Sequence, residues 1–405
     1  MNLSESFLQH FETINDPRVD NHNKRHNFQD ILVITILGAI CGADTWTDLV
    51  EFADAKQDWL KTFLELPNGI PSHDTFGRVF SLINPKEFER CFCEWISSLT
   101  INVSQEIIAI DGKTLCGSHN RKKGIKPLHL VSAWAVKNRL MLGQVRTEEK
   151  SNEIEAIPRL LNMIDVTGSI VTIDAMGCQK TIAKQIAKQG AHYVLALKGN
   201  QHTLYDNVAS IFITQNNAVK RYKNMLNRVK VEKIRQHGRI ETRRYTLISA
   251  RDPLLFDLRW PALKSIGMVE TTRTINHQVE KVTRYFLTSL EHEDINDFMR
   301  AVRQHWEIEI NLHWSLDVSF NEDLNRVRSG HASENLAIVR RIALNLLKQE
   351  TSRKIGITAR RKRAGWDNQY LLRIMQGNLA LNNDETTGKS SWLSAFAMAL
   401  SQSPR

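Results

Sequence analysis

The sequence predicts an α/β fold: a mixed β-sheet flanked by helices, preceded by a helical N-terminal domain and carrying a β-rich insertion. Three observations predict it. The apolar run Ile107-Ile108-Ala109-Ile110 leads straight into Asp111-Gly112-Lys113; such a run, apolar on both faces and rich in β-branched residues, marks a central buried strand. The pattern returns at Ile170-Val171-Thr172-Ile173-Asp174-Ala175. Around these runs the apolar spacing alternates between strand-like and helical periods.

Residues 1–98 read as helical throughout. Residues 28–43 form a buried helix in which Gly38 and Gly42 allow close packing, and residues 46–64 form a second. Ser72 is an N-cap with Asp74 in the first turn. Asn84-Pro85-Lys86-Glu87 is a stronger start, with an Asn cap and Pro at the first helical position. Such a module binds DNA, drives assembly or braces the catalytic core. Its basic residues cluster only at Lys24-Arg25-His26.

Residues 104–203 carry strand-like segments at 106–110, 129–136, 140–145, 169–173 and 193–197, with Asn138-Arg139 as a tight hairpin turn. Helices at 153–164 and 181–189 precede the fourth and fifth strands, the second ending at Gly190. Residues 204–292 read as a helix and then strands at 244–249, 265–274 and 282–289. This insertion is rich in basic residues, Arg221, Lys223, Arg228, Lys230 and Lys233 among them, which places it along a nucleic-acid path. Residues 293–350 return to helix, with Phe298, Val302, Trp306, Glu309, His313, Leu316 and Phe320 in one stripe. Glu309 lies mid-stripe, where a lone buried carboxylate is costly and needs a proton, a cation or a metal. Residues 351–405 form a basic C-terminal region containing Arg360-Arg361-Lys362-Arg363.

A chain of 405 residues exceeds one ordinary core. With 54 Lys+Arg against 44 Asp+Glu, its net charge of +10 fits a polyanionic partner or a mildly basic enzyme equally. The five cysteines include no C-x-x-C pair and no zinc-spaced cluster, consistent with a reduced intracellular setting. The longest apolar run, 31–43, is shorter than the ~20 residues of a membrane helix, so no membrane association is expected.

Asp111 and Asp174 each end a strand, and we expect them to lie side by side and share a divalent metal. Phosphodiester cleavage without a covalent nucleophile calls for two metal ions about 3.5–4 Å apart, held by a few carboxylates. Mg²⁺ prefers such hard oxygen donors. Asp111, Asp174 and Glu309 are suitable donors. Acids after strands are common in α/β proteins, however, and from the residues alone a structural or small-molecule site stays open.

The motifs Asp111-Gly112-Lys113, Thr172-Ile173-Asp174-Ala175 and Leu197-Lys198-Gly199-Asn200-Gln201 resemble the core of DDE transposases of bacterial insertion sequences. The stretch from His305 to Trp314, with Leu316-Asp317-Val318 and Glu322-Asp323, is similar to their third-acid region. The segments Leu66 to Phe76 and His237 to Arg243 resemble the H-repeat-associated group in particular.

That resemblance implies a ribonuclease-H-like core interrupted by a β-rich insertion, with Asp111, Asp174 and Glu309 as catalytic metal ligands. It implies two Mg²⁺ ions, with Mn²⁺ as a substitute. The partner implied is double-stranded DNA, at the element's terminal inverted repeats and at the target, bound by a homodimer in the bacterial cytoplasm at the nucleoid. The activity implied is end cleavage and then strand transfer. The alternatives are a degenerate DNA-binding remnant and a stand-alone ribonuclease-H-like nuclease. One departure stands out: where many relatives carry Tyr, Arg and Lys around the glutamate, this chain has Val302, His305 and Leu316. Phosphate contacts are therefore expected from Lys113, Lys198, His305, Arg326 and Arg328.

Overall fold

The computed structural model describes residues 9–20, 24–99, 103–119, 124, 126–147, 152–218, 227–236, 239–251, 259–275 and 278–376. The strands are β1 (Ile107–Leu115), β2 (Leu128–Ala135), β3 (Leu140–Thr147), β4 (Ile170–Ile173), β5 (His192–Leu197), β6 (Asn227–Gln236), β7 (Arg239–Ser249), β8 (Ser265–Ile275) and β9 (Gln278–Thr288). All nine form one sheet, in the order β3-β2-β1-β4-β5-β9-β8-β7-β6. β1, β4 and β5 pair in parallel, and their neighbours run antiparallel. The architecture is thus mixed α/β.

The insertion continues the central sheet, because β9 pairs with β5 from Val194↔Thr288 to Leu197↔Tyr285. The expected strand 265–274 matches β8, but 244–249 and 282–289 start too late for β7 and β9, and β6 was missed. The reason is visible in β9: Gln278–Arg284 is largely exposed and only Tyr285–Thr288 is buried. The outer halves of these strands stand clear of the core, so no apolar alternation marks them. Three of the insertion's arginines are paired with its own acids, Arg244 with Glu270 and Arg243 and Arg273 with Glu241, while its Glu232 takes Arg303 of the helix that follows. Arg221, Lys223 and residues 377–405 of the expected C-terminal region lie outside the described residues, as do His237 and Gly238.

Helices cover both faces. The N-terminal ones are α1 (Phe28–Cys41), α2 (Trp46–Ala55), α3 (His73–Leu82) and α4 (Pro85–Ser98). Their starts are the expected ones: Ser72 accepts from Thr75 N and Asn84 from Lys86 N. After the first strands come α5 (Glu153–Met163), α6 (Lys180–Lys188) and α7 (His202–Ala218). The chain closes with α8 (Ile295–Gln304), α9 (Trp314–Phe320), α10 (Ala332–Gln349), α11 (Ile357–Trp366) and α12 (Asn368–Gln376). α10 is the pivot, packing on α1, α3, α4 and β3. Asn335 on α10 donates to Phe80 O and Ile83 O, at 2.8 and 2.9 Å, so a buried amide ties α10 to the end of α3. One apolar cluster runs from the N-terminal helices to the sheet. α1 is buried from Phe28 to Ile40 with Gln29 the partial exception, and among the described residues no single helix is long and apolar enough to cross a membrane.

Strand alternation sorts the sheet residues between two faces. Ile107, Ile170 and Val194 pack with Phe298 and Ala301 of α8. Ile108, Ile110, Val171, Ile173 and Leu195 join the core on the other face.

Candidate active site

β1 and β4 pair from Ile107↔Ile170 to Ile110↔Ile173, and the next residue of each is an aspartate. β4 ends there, whereas β1 continues to Leu115 along β2 alone. Asp111 is therefore a mid-strand residue, a correction to its expected place at a strand end. The crevice opens beside it because its neighbour leaves the sheet. Asp174 turns the chain away by accepting from Met176 N at 3.0 Å. Asn200, after β5, donates to Ala175 O at 3.0 Å and holds the loops after β4 and β5 together. By alternation Asp111, Asp174 and Lys198 share the face covered by α8.

The chain after α8 does not continue as one straight stripe. It turns at His305-Trp306 and re-forms with a π-turn, Glu309–His313, closed by Trp314 N bonding to Glu309 O. A π-turn admits one extra residue and rotates the helix beyond it. The inward line becomes Ile308, Leu312, Leu316 and Phe320, each 0% exposed. The expected stripe is corrected accordingly: Trp306 faces outward with Ile310, Trp314 and Val318, and Glu309 stands at the rim with its side chain 49% exposed.

That rim position points Glu309 toward Asp111. His313 Nδ1 lies 3.3 Å from Glu309 Oε2 and 3.7 Å from Asp111 Oδ2. One donor atom from each of Asp111, Glu309 and His313 falls within 4.8 Å of the others. Asp174 lies beside Asp111 but outside this trio. Burial, then the charge of Glu309, pushes the Asp111 carboxyl up to about 7. Glu309 is held low, chiefly by its hydrogen bond to His313.

A raised acid binds more protons folded than unfolded, so the metal-free protein loses stability as pH climbs from about 4 to about 7. Glu309 acts oppositely, losing its contribution only as pH falls below its ordinary range. Urea melts in chelator should show Asp111→Asn more stable than wild type at pH 8 by on the order of 3 kcal/mol, the gap closing toward pH 4.

The expected phosphate contacts separate into two groups. Lys198 and Arg326 are exposed. Lys113 is buried and gives its ammonium to Asp317, with His313 O at 3.4 Å and Asp323 at 3.9 Å; it faces the third-acid helix and not open solvent. Arg328 donates to Gly117 O at 3.0 Å, and together with Arg326, Arg78, His73 and Trp46 it lines an open groove of about 750 Å³. His305 sits over β4, its Nδ1 3.0 Å from Thr172 Oγ1, and burial pushes its imidazole down to about 4. It is neutral near pH 7.

Sequence reading missed a second layer. Under β1, His129 Nε2 lies 2.7 Å from Glu153 Oε1 and its Nδ1 2.7 Å from Thr114 Oγ1. Gly112 lies over this pair: a Cβ there would run into Glu153 Oε1 and come within 2.7 Å of His129 Nε2. Gly112→Ala should therefore cost about 1–3 kcal/mol by overpacking, read as a lower urea midpoint; an unchanged midpoint would show that the pair yields freely. The signals for Lys113 and His313 were present. Lys113 is two residues from Asp111 on the same strand face, and His313 is four from Glu309 on one helix.

A family model described as "Transposase DDE domain" matches residues 103–346, and one described as "DDE_Tnp_1-associated" matches residues 8–96. The chain belongs to the DDE transposase family. It is 36% identical over 379 residues to the "H repeat-associated putative transposase YhhI" of Escherichia coli K12, covering 92% of this chain and 98% of that protein. It is 38% identical over 375 residues to the "Putative transposase YncI" of Escherichia coli O157:H7, covering 92% and 94%. A protein named "Uncharacterized protein in dhlA 3'region" from Xanthobacter autotrophicus is 45% identical over 280 residues, 69% of this chain and 92% of its own length. The DDE transposase match contains Asp111, Asp174, Glu309 and the whole nine-stranded sheet.

Proposed function

We propose that the chain is an active insertion-sequence transposase, cutting double-stranded DNA at the element's ends and joining the freed 3′-ends to target DNA. Asp111, Asp174 and Glu309 are its metal-holding residues. The observation that supports this most is the meeting of Asp111 and Glu309, nearly 200 residues apart, at the point where β4 leaves the sheet beside Asp174. The donor set fits a divalent ion: carboxylate oxygens are hard donors, and the half-buried, proton-hungry Asp111 has only like-charged carboxylates as its charged neighbours among the causes of its shift. When bound, a pair of such ions supplies activation of the attacking oxygen and neutralisation of charge on the phosphate.

The chain's own residues then divide the work. Asp111 stands between the other two acids, and Glu309 is oriented by His313. Exposed Lys198 contacts a phosphate, as does Arg326 along the groove beside α3, while His305 lies against the DNA without adding charge. Hydrolysis breaks a P–O3′ bond and leaves a 3′-hydroxyl and a 5′-phosphate. In joining, that hydroxyl attacks a target phosphodiester, one P–O bond forming as another breaks. The unit β3-β2-β1-β4-β5 is the ribonuclease-H-like core (residues 104–203 and 293–350), β6–β9 the insertion (204–292), and α1–α4 an N-terminal domain (1–98) that braces it and carries part of the DNA path. A homodimer holding two ends on the bacterial nucleoid, using Mg²⁺ with Mn²⁺ as a substitute, completes the reading.

The alternative is a DNA-binding remnant that no longer cuts, favoured by Val302, His305 and Leu316 at positions where many relatives carry functional side chains. Duplexes made from the DNA flanking the coding region test both. Nicking with Mg²⁺ or Mn²⁺, and then joining to a second duplex, is expected. Salt-sensitive binding with no nicking under either ion would establish the remnant, and nicking without joining would point to a stand-alone nuclease.

A further inference from the structure

His313, which orients Glu309, is also the most buried member of the trio with Asp111 and Glu309, at 4% exposure. Its Nδ1 faces both carboxylates, at 3.3 and 3.7 Å. Its Nε2 has no hydrogen-bond partner among the described residues, so all of the ring's polar business lies on the acid side. The ring is also held firmly. It ends the π-turn that begins at Glu309, and Lys113 anchors the backbone there by reaching His313 O and Asp317. Donors to one octahedral ion at about 2.1 Å sit about 3.0 Å apart when adjacent and about 4.2 Å apart when opposite. The two His313 separations fall between these values, so the three groups reach a common ion with side-chain adjustments alone.

We propose that His313 is a nitrogen ligand of the ion shared by Asp111 and Glu309, and that it biases this site toward Mn²⁺ over Mg²⁺. The inference rests on the reading of Asp111 and Glu309 as metal ligands. Imidazole is a borderline donor that suits first-row transition ions, whereas Mg²⁺ favours an all-oxygen shell. Asp174 lies outside the trio, so a second ion held there with Asp111 does not draw on the His313 nitrogen. The two positions therefore differ in preference, a difference that the three acids by themselves do not create.

The full-length protein without DNA provides the test, with Mn²⁺ as the probe. Electron spin-echo spectra of bound Mn²⁺ should show ¹⁴N modulation that persists in His305→Gln and disappears in His313→Gln. Competition titrations should show the Mn²⁺-to-Mg²⁺ selectivity of His313→Gln falling on the order of tenfold, since an amide oxygen replaces the nitrogen. Mn²⁺ bound to wild type without ¹⁴N modulation would overturn the proposal and leave the acidic metal site standing. Wild type that binds no Mn²⁺, or binds it equally well in Asp111→Asn, would overturn both. Absence of ¹⁴N modulation in wild type overturns the proposal whether or not the His313 variant folds, and its loss in His305→Gln would overturn it as well.

Discussion

Asp111→Asn lowers nicking of the element's ends by on the order of a thousandfold or more, with DNA binding retained. The scale reflects what the carboxylate does: removing one preorganised charge from a phosphoryl-transfer site costs several kcal/mol of transition-state stabilisation. Asp111 is the acid with both other carboxylates as neighbours, Asp174 across the β1–β4 register and Glu309 within the metal-sized trio. Its loss therefore exceeds that of Asp174→Asn or Glu309→Gln, each of which leaves one pair intact. Gel assays of single-turnover nicking, run beside binding assays over a salt series, separate the two effects. A variant that still nicks at the wild-type rate would remove Asp111 from the chemistry.

Arg341→Met destabilises the fold by about 3–5 kcal/mol, the usual consequence of stripping one partner from a fully buried ion pair. Arg341 and Glu322 both have side chains 0% exposed, with Nη1 and Oε1 2.5 Å apart and a second contact at 3.4 Å. Burial alone would raise the Glu322 carboxyl, yet Arg341 and Arg340 outweigh it and hold it low. Alone, Glu322 would have to protonate or draw in water. The double variant Arg341→Met/Glu322→Leu should recover most of the loss, because an apolar pair of similar volume suits a dry site. Urea melts decide it: a single variant as stable as wild type would mean that the carboxylate finds another partner. The pair fastens the turn after α9 to α10, and Asp323, next in sequence, faces Lys113.

These contacts give the motif residues physical content. Lys113, Asp317, Glu322 and Asp323 stand in the stretches that resemble DDE transposases, and each is engaged in holding the third-acid helix to β1 or α10. Lys113 was expected on a DNA phosphate, and its burial against Asp317 gives it this bracing role instead. A charge run or a lone lysine reads the same in sequence whether it meets a phosphate or an aspartate.

The sequence by itself determined the local elements: the apolar runs that become β1 and β4, the aspartate that follows each run, and the caps that start α3 and α4. Each of these depends on side-chain period and propensity within a window of about ten residues. The tertiary structure alone decided which strands meet, since β6–β9 join the central sheet only through β9 on β5, where Val194 pairs with Thr288, 94 residues away. It also decided where Glu309 points. An unbroken helix would have kept it on one stripe with Trp306; with the turn at His305-Trp306 and the π-turn that begins at Glu309, it stands at the rim beside Asp111 and His313. Strand partners and helix defects are selected by packing between distant segments, and that energy is not written in any one stretch of the chain.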